Sequence, residues 1–502
     1  MTSCIAVVVA SLFGGGVLAA AEPPMLRVDA SGRFLATQSG QPELILCDTA
    51  WRLVTRVSRQ DTIAYLAKRR DQQFNAVTFV LYMPNSAGLA NPVRNLDGDA
   101  PFKLVDGLAD PTQPDVKPGP NDDYWDHVDW LVALTREMGF YAVILPTWGS
   151  GVVGGYDGKN QGDSVFNESN AYAYGHWLGK RFHNQPHIIW MLGGDRRAVY
   201  GPDDYRPVFR AMAQGLGAGV TAAGDIDAGE IDTAVTATGQ PAGTADFGGL
   251  LMSYHSQKNS PQSSEWFHRD AWLSFNSIQE WPERQQGAIA SDWQRSPPKP
   301  TWVFEPRYEG YWQKPYQATD WGDWQMRQQA WQSVLAGGFG FTYGHERVFG
   351  FGDDGWDWKR ELGAPGANQM QHLVKAFQLW NKEDYASRIP DQSLLDGDQG
   401  KAERLESDRI TATKNGAGTL AMIYSADGSD IRLKLQHLSG QAMTASWFNP
   451  RTGKWRVGDD EFNQPTTFAN DLKVGSGAAV RRFAPPGGKA AGNDWLLILD
   501  AR

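Results

Sequence analysis

Short apolar runs alternate with helical segments along most of this chain, and the alternation restricts the folds it can adopt. Eight runs have the length and composition of strands buried on both faces. They are Glu43–Cys47, Ala76–Tyr82, Tyr141–Pro146, Ile188–Leu192, Leu250–Tyr254, Phe275–Gln279, Thr301–Glu305 and Phe339–Tyr343. The helical patterns between them include Arg59–Gln72, Trp125–Met138, Asn170–Phe182, Tyr205–Gln214 and Asp323–Ala336. This order predicts an α/β fold, specifically a (β/α)8 TIM barrel.

Beyond Ile389 the pattern changes to short strands separated by turn sequences such as Asp427-Gly428. The predicted strands are Arg409–Thr413, Thr419–Tyr424, Ile431–Gln436, Thr444–Phe448, Lys454–Val457, Arg481–Ala484 and Trp495–Asp500. They indicate an all-β sandwich of about 100 residues. We therefore assign residues 22–390 to the barrel and residues 395–502 to a C-terminal β-sandwich, and residues 26–42 predict a β-hairpin before the barrel.

The first 21 residues have the pattern of an export signal. An apolar stretch runs from Ile5 and ends in small residues, with Ala19-Ala20-Ala21 as the expected cleavage site. The sequence therefore predicts a periplasmic or secreted protein. Once the signal is removed, Cys47 is the single remaining cysteine, so no internal disulfide is expected. Cys47 lies in an apolar run and is expected in the core.

Charge and aromatic content narrow the partner class. The net charge is −10, which argues against nucleic acid or an anionic membrane surface as a partner. The chain also contains 21 Trp, 16 Tyr and 22 Phe. Aromatic rings can pack on the apolar faces of sugars, and a large barrel also buries aromatic side chains. We interpret the excess as a whole as an indication of a carbohydrate partner.

Two of the apolar runs lead to a carboxylate, Asp195 and Glu305. A charged side chain is costly inside a strand that is buried on both faces, so these acids are expected at strand ends, facing a cleft. In a barrel the catalytic residues lie at the C-terminal ends of the strands. Strands four and seven would bring the two acids to one mouth. A pair of carboxylates is what glycoside hydrolysis requires, one to protonate the leaving oxygen and one to attack or to activate water.

Structural roles remain open for both acids at this point. Asp195 could cap a helix or pair with Arg196 or Arg197, and Glu305 could pair with Arg307. Glu280 and Glu346 are rival strand-end acids. Other residues near strand ends are candidates for contacts with sugar hydroxyls or rings. These candidate substrate-binding residues are Asp48, Trp51, Tyr82, Trp148, His255, Gln279, Tyr308 and His345.

Other chemistries find little support in the sequence. It contains no His-Glu-x-x-His zinc motif, no Gly-x-Ser-x-Gly elbow and no P-loop. His183 and His187 lie on either side of Pro186, so they do not form a helical zinc pair. We expect no metal and no cofactor.

In combination, the sequence motifs resemble one known family, the bacterial apiosidase-like glycoside hydrolases. The resemblance covers residues 26–500 and rests on motifs in both predicted domains. In the barrel they are Cys47–Trp51, Phe74-Asn75, Trp190–Asp195, Ser253–His255, Ser263–His268, Phe275-Asn276, Ile278-Gln279, Pro300–Glu305, Tyr308-Glu309 and Tyr343–His345. In the sandwich they are Trp447–Gly453 and Asp494-Trp495.

The resemblance implies a TIM barrel followed by a small β-sandwich that is named for collagen binding. It also implies cleavage of apiosyl linkages in pectin by a retaining double displacement, with Asp195 as general acid/base and Glu305 as nucleophile. Three alternatives stay open. They are a glycosidase for another linkage (arabinofuranosidase, galactosidase or rhamnosidase), a non-catalytic carbohydrate-binding barrel, and an adhesin that uses the sandwich.

Overall fold

A computed structural model gives the fold of most of the chain. The described residues are 21–84, 94–119, 122–155, 164–222, 247–311, 321–352, 355–401 and 408–501. The predicted signal peptide lies almost entirely outside these ranges, as do residues 223–246, a stretch rich in Gly, Ala and Thr before the fifth strand. Within the described ranges, no helix is both long and apolar enough to cross a membrane.

Eight parallel strands form the barrel, and we number them in chain order. They are β1 (Ile45–Thr49), β2 (Ala76–Val80), β3 (Tyr141–Leu145), β4 (Ile188–Gly193), β5 (Leu251–His255), β6 (Asn276–Ile278), β7 (Thr301–Val303) and β8 (Gly340–Tyr343). Every residue in these strands is buried, so each reads as the continuous apolar run seen in the sequence. The predicted TIM barrel is confirmed.

The barrel closes differently between β5 and β6 than elsewhere. The ladder of backbone pairs runs β5-β4-β3-β2-β1-β8-β7-β6, which leaves β5 and β6 at its two ends. Between them, Ser253 Oγ donates to the Phe275 carbonyl at 2.6 Å, and Ser277 Oγ donates to the Tyr254 carbonyl. The Ser274 amide also donates to the Met252 carbonyl at 2.8 Å. Serine hydroxyls therefore complete the ring where regular pairing stops.

A helix follows each strand of the barrel. These helices are Arg59–Asp71, Tyr124–Glu137, Glu168–Arg181, Arg206–Thr221, Ser263–Phe267, Pro282–Trp293, Asp323–Leu335 and Pro365–Phe377. Several begin at a residue whose side chain accepts a hydrogen bond from the first turn, as Ser58, Asp123 and Asn167 do. Shorter helices lie at Leu53–Arg56, Ser150–Val153 and Lys382–Ala386, and single 3₁₀ turns at Trp358–Glu361, Gln392–Leu394 and Leu435–His437.

Three small antiparallel β-structures in the described residues lie outside the barrel sheet. The expected N-terminal hairpin is present as the antiparallel strands Leu26–Val28 and Leu35–Thr37, and Pro42–Glu43 pairs with the second of them. A second hairpin, Phe102–Val105 with Leu108–Pro114, follows β2. A third, Val199–Tyr200 with Asp203–Asp204, follows β4.

The C-terminal domain is built on one antiparallel sheet. Its strands in spatial order are Ile389–Pro390, Ile410–Lys414, Leu420–Ser425, Trp495–Asp500, Met443–Asn449, Lys454–Val457 and Asp460–Phe462, with Ala469–Leu472 pairing with Met443–Asn449. The ladder Ile431–Lys434 with Val480–Phe483 covers one face of this sheet. The predicted all-β sandwich is confirmed, and Asp460–Phe462 and Ala469–Leu472 are strands that the sequence did not predict.

The other face of the sheet packs on the barrel. Tyr424 stacks on Trp331 of the helix after β7, with ring centroids 5.9 Å apart. Beside them, Arg327 forms a fully buried ion pair with Asp494, at 2.7 Å. Leu420, Met422 and Leu496 join the same apolar core as the barrel. The two domains are therefore held together by shared core packing, not by a linker alone.

Candidate active site

Asp195 lies at the mouth of the barrel because of the two glycines before it. Gly193 and Gly194 have φ angles of 82° and 135°, in the region that favours glycine. A Cβ at Gly194 would lie 2.7 Å from the Gly149 amide nitrogen and 2.9 Å from the Trp148 ring. Asp195 itself has a φ of 48°, which is uncommon for a residue other than glycine. The turn leaves its side chain 18% exposed.

His255, the last residue of β5, contacts both candidate acids. The Asp195 amide donates to His255 Nδ1 at 2.8 Å, so the proton of the neutral imidazole lies on Nε2. That Nε2 lies 2.6 Å from Glu305 Oε2, although the two atoms are not aligned for a full hydrogen bond. The imidazole is fully buried among Trp51, Trp148 and Phe304. One rigid ring thus sets the positions of both acids.

Glu305 lies two residues beyond the end of β7 and receives a second contact from Tyr308. The Tyr308 hydroxyl donates to Glu305 Oε1 at 2.5 Å, the short distance expected for a bond to a carboxylate. The same hydroxyl accepts from Trp51 Nε1 at 3.0 Å. Burial, with the Glu305 charge, raises the pKa of Tyr308 well above its ordinary value. Tyr308 therefore stays protonated and remains a donor to Glu305.

Aromatic rings form one wall of this site. Trp51 and Trp148 meet edge to face with ring centroids 5.1 Å apart, and Trp148 is half-buried. Gln279, beyond β6, donates from Nε2 to Asp195 Oδ1 at 3.1 Å. Asp195 and Glu305 thus follow β4 and β7, and the residues that contact them are His255 of β5, Gln279 beyond β6 and Tyr308 beyond β7. The arrangement is a pair of partly exposed carboxylates beside apolar rings, which suits acid-catalysed cleavage of a glycosidic bond.

Two protein-family models match this chain. The family model described as "Apiosidase-like, catalytic domain" matches residues 29–382. The chain belongs to the apiosidase-like family. A second model, described as "Putative collagen-binding domain of a collagenase", matches residues 389–500. The resemblance inferred from the sequence motifs is confirmed.

Two solved structures that resemble this chain are named as glycoside hydrolases. A glycoside hydrolase family 5 protein from Bacteroides vulgatus ATCC 8482 is 26% identical, with a TM-score of 0.74 over 95% of this chain and 93% of that one. A second structure, named only as a glycoside hydrolase, is 25% identical, also with a TM-score of 0.74, over 95% of this chain and 97% of the other. Among curated protein sequences, none matches. The apiosidase-like chain is a glycoside hydrolase.

The structure places Asp48 away from the apiosidase-like cleft. We expected it just after the first strand, but β1 extends to Thr49, so Asp48 lies inside the strand and faces the following helix. Arg69 Nε donates to its carboxylate at 2.6 Å, the Tyr65 hydroxyl donates as well, and the side chain is 1% exposed. Burial raises the pKa of Asp48 while the Arg69 charge opposes the rise. Asp48 joins strand to helix and does not reach a substrate.

Three further candidate substrate contacts are enclosed. Tyr82 is 1% exposed and packs on Phe102 at 5.0 Å between ring centroids. His255 is buried beneath the two acids, so it positions them and does not contact a sugar. His345 is nearly buried, and burial lowers its pKa to about 4, so it is a neutral group that accepts from the Arg347 amide at 3.2 Å. Trp51, Trp148, Gln279 and Tyr308 are the candidates that lie around Asp195 and Glu305.

The structure also shows the surroundings of the rival acid Glu280 and of Arg196, the possible ion-pair partner of Asp195. Glu280 is 1% exposed and is held by Gln262 and Arg284, at 3.2 and 3.5 Å. Arg196 Nη1 lies 4.0 Å from Asp195 Oδ2. Its Nε donates to the Gly154 carbonyl at 2.9 Å, so Arg196 also binds the backbone at Gly154 and is not only a partner of Asp195. Within the described residues, no group of three or more His, Cys, Asp and Glu side chains is arranged to hold a metal ion.

Sequence reasoning missed several residues at the rim of the site. Arg307 was considered only as an ion-pair partner of Glu305, yet its guanidinium lies over the rings of Trp281 and Trp321, at 4.0 and 4.3 Å. Tyr311 also belongs to this group. The run after Glu305, with aromatic and basic residues at short intervals, is the sequence signal that could have indicated them.

Two substitutions at His255 should separate its two contacts. In His255→Asn the amide oxygen can replace Nδ1 and keep the bond from the Asp195 amide, while the contact with Glu305 is lost. In His255→Gln the amide nitrogen can replace Nε2 near Glu305, while Asp195 loses its acceptor. We expect each to lower kcat by about 10- to 100-fold.

Leaving-group dependence of kcat distinguishes these variants. His255→Gln should be most impaired with poor leaving groups, because their departure needs a well-placed general acid, the role that the sequence resemblance implies for Asp195. His255→Asn should lose a similar factor with good and poor leaving groups. Equal profiles for both variants, with unchanged thermal stability, would contradict separate positioning roles.

Proposed function

We propose that this protein is an exported, retaining glycoside hydrolase that removes apiose from pectic glycans of plant cell walls. The proposal rests on one observation. At the mouth of the barrel, the buried imidazole of His255 contacts both the backbone amide of Asp195 and the carboxylate of Glu305. Two acids from different strands that share one positioning residue form a functional unit. The membership of the apiosidase-like family supports the choice of sugar, and the N-terminal sequence supports export.

The proposed reaction proceeds in two displacements. Glu305 attacks the anomeric carbon while Asp195 gives its proton to the leaving oxygen, which breaks the glycosidic bond and forms a glycosyl ester. Asp195, now a carboxylate, takes a proton from water, and the resulting attack releases the sugar and restores the Glu305 carboxylate. The Tyr308 hydroxyl orients Glu305 for attack and stabilises its charge when it leaves.

Each neighbour of the acids has a distinct part in this scheme. Gln279 donates to Asp195 Oδ1 and so fixes the plane of the carboxyl group. Trp51 holds Tyr308 through its indole N–H and supports the ring of Trp148, which is half-buried and offers an apolar surface for the face of a sugar. These side chains are positioned before substrate arrives, so little reorganisation is needed on binding.

A substrate panel tests the proposed activity. The full chain is incubated with 4-nitrophenyl apioside, arabinofuranoside, galactoside and rhamnoside and with pectic fragments, and the released sugar is identified. We expect apiose to be released from its aryl glycoside and from pectin. Another sugar, with apiosides untouched, would replace the apiosidase assignment with one of the alternative glycosidases.

The stereochemistry of the first product tests the mechanism. Proton NMR of the sugar in the first minutes of reaction should show the anomer of the substrate, as a double displacement requires. The opposite anomer would assign Glu305 to the activation of water. Absence of release from every pectic fragment would overturn the pectic substrate.

A further inference from the structure

A second cavity opens at the end of the barrel that lies away from the two acids. Its volume is about 520 Å³, within the range of about 300–1,000 Å³ that small-molecule sites occupy. Glu43 precedes β1 by two residues, and Phe74 and Asn75 come directly before β2. The cavity therefore lies at the N-terminal ends of these strands, whereas Asp195 and Glu305 follow the C-terminal ends of theirs. We call it the basal cavity, and its lining includes Glu43, Arg70, Gln73, Asn75, Phe377 and Trp380.

Glu43 brings a fixed carboxylate to the basal cavity. Its Oε1 accepts from Asn75 Nδ2 at 2.8 Å, and Asn75 is itself held by the Leu44 carbonyl at 2.9 Å and the Leu46 amide at 2.8 Å. Burial raises the pKa of Glu43, while the bond from Asn75 opposes the rise. Across the described ranges, no cation lies within ion-pair distance of this carboxylate. Its Oε2 can therefore accept from a ligand.

Arg70 brings a guanidinium to the same cavity. It is half-buried near the end of the helix Arg59–Asp71, and no carboxylate of a described residue lies within ion-pair distance of it. Glu43 and Arg70 thus line one cavity without pairing with each other. A ligand that contacts both must donate to the carboxylate and accept from the guanidinium. Gln73 adds an amide to the lining, which can do both.

Phe377 and Trp380 supply an apolar part of the lining. Their rings stack with centroids 6.2 Å apart and an interplanar angle of 17°, and both side chains are nearly buried. Trp380 Nε1 donates to Met422 Sδ at 3.1 Å, so a strand of the sandwich fixes the ring and already uses its N–H group. The indole therefore offers only apolar atoms to the basal cavity. A few fixed polar groups beside apolar rings are typical of a site for a polyhydroxylated ligand.

We propose that the basal cavity is a non-catalytic binding site for a neutral glycan. A sugar hydroxyl both donates and accepts, so neighbouring hydroxyl groups can satisfy Glu43 and Arg70 at the same time. Both hydrogen bonds involve an ionised group, which makes them stronger than neutral ones. A uronate would meet the charge of Glu43 and an amino sugar that of Arg70, so the pair favours an uncharged sugar. The site goes beyond the proposed function, because it needs no bond cleavage and leaves the mouth of the barrel free.

Calorimetric titration tests the basal cavity, with Glu305→Gln protein to prevent turnover. The neutral probes are β-1,4-galactotriose and α-1,5-arabinotriose, and leucine is the probe for a zwitterion that could bridge the same two charges. We expect at least one trisaccharide to bind, with an affinity that changes little between low and high salt because the ligand is uncharged. No binding of either trisaccharide, or tighter binding of leucine than of both, would overturn the proposal.

Two variants in the same background place the bound trisaccharide. Glu43→Gln keeps an acceptor for Asn75 and removes the charge, and Arg70→Met keeps the side-chain stem and removes the guanidinium. We expect each to weaken binding by at least about tenfold, with an unchanged melting temperature. The matched controls are Glu137→Gln and Arg27→Met, at exposed positions, and should leave the affinity unchanged. Trisaccharide binding that survives both cavity variants would contradict the proposal.

Hydrolysis of an aryl apioside by the wild-type protein separates this site from the proposed function. If the apioside is hydrolysed but no trisaccharide binds in the basal cavity, the basal site is wrong and the proposed function stands. If a trisaccharide binds there but no apioside is hydrolysed, the basal site stands and the proposed sugar is wrong.

Discussion

Replacing Glu305 with glutamine is expected to lower kcat by at least about 10³-fold, because the amide cannot form the glycosyl ester. The fold should be unchanged, since Gln keeps the volume of the side chain and can still accept from Tyr308. The measurement is kcat on the best substrate of the panel, alongside the melting temperature. Glu305→Gly supplied with azide should regain turnover and form a glycosyl azide of inverted configuration.

Asp195→Asn should behave differently, because in the proposed mechanism this residue acts on the leaving group and then on water. We expect a loss of about 10²- to 10⁴-fold in kcat for poor leaving groups and a much smaller loss in the first step for dinitrophenyl glycosides. Azide, which needs no base, should accelerate the second step and give a glycosyl azide of retained configuration. Reversed azide products in the two variants would exchange the assigned roles.

Glu280→Gln is the matched control for both. Glu280 is a strand-end acid like Glu305 and receives the same chemical change, but it is enclosed between Gln262 and Arg284. Its kcat should stay within a fewfold of wild type. A Glu280→Gln protein as inactive as Glu305→Gln would show that the acids have been wrongly chosen.

The second large effect concerns stability. Asp494→Ala is expected to lower the free energy of unfolding by about 3–5 kcal/mol, because it leaves Arg327 charged and buried without its main partner. Arg327 is 2% exposed and Asp494 is fully buried, and the Tyr424 hydroxyl donates to the same carboxylate at 3.1 Å. Denaturation by urea measures the change. Asp430→Ala, which breaks an exposed pair with Arg482, should change the same quantity by less than about 1 kcal/mol.

The predicted effect of Asp494→Ala implies that the sandwich contributes to the stability of the barrel. If the domain served only to bind a matrix, its removal would leave a stable barrel. The sheet face instead covers Trp331 and the buried guanidinium of Arg327. A chain ending at residue 390 should therefore aggregate or unfold at low urea, and a soluble, fully active truncated barrel would contradict the shared core.

The fold was predictable because buried parallel strands appear in the sequence as short apolar runs. All eight barrel strands lie within two residues of the predicted runs, since burial on both faces requires uninterrupted apolar sequence. The strands Asp460–Phe462 and Ala469–Leu472 were missed because they are short and polar. A difference of two residues at the end of β1 was enough to misplace Asp48, because the direction of a strand side chain alternates.

The site was predictable to the level of its acids but not of their surroundings. Asp195 and Glu305 could be proposed because a charged carboxylate is costly next to a buried apolar strand unless it faces a cleft or has a partner. The burial of His255 beneath both acids, and the stacking of Arg307 between two indoles, depend on contacts among residues far apart in sequence. A single sequence shows neither the closeness nor the angle of such groups. The functions of those residues emerge only from the folded chain.

The closure of the barrel by serine hydroxyls has a consequence for catalysis. His255 from β5 contacts the backbone amide of Asp195, and Gln279 from beyond β6 contacts its carboxylate. β5 and β6 are the two strands that regular pairing leaves apart. Any widening between those strands would draw the two partners of the acid in opposite directions. Ser253 and Ser277 therefore hold these two strands together, and we expect the alignment of the Asp195 carboxyl group to depend on their two hydroxyl groups.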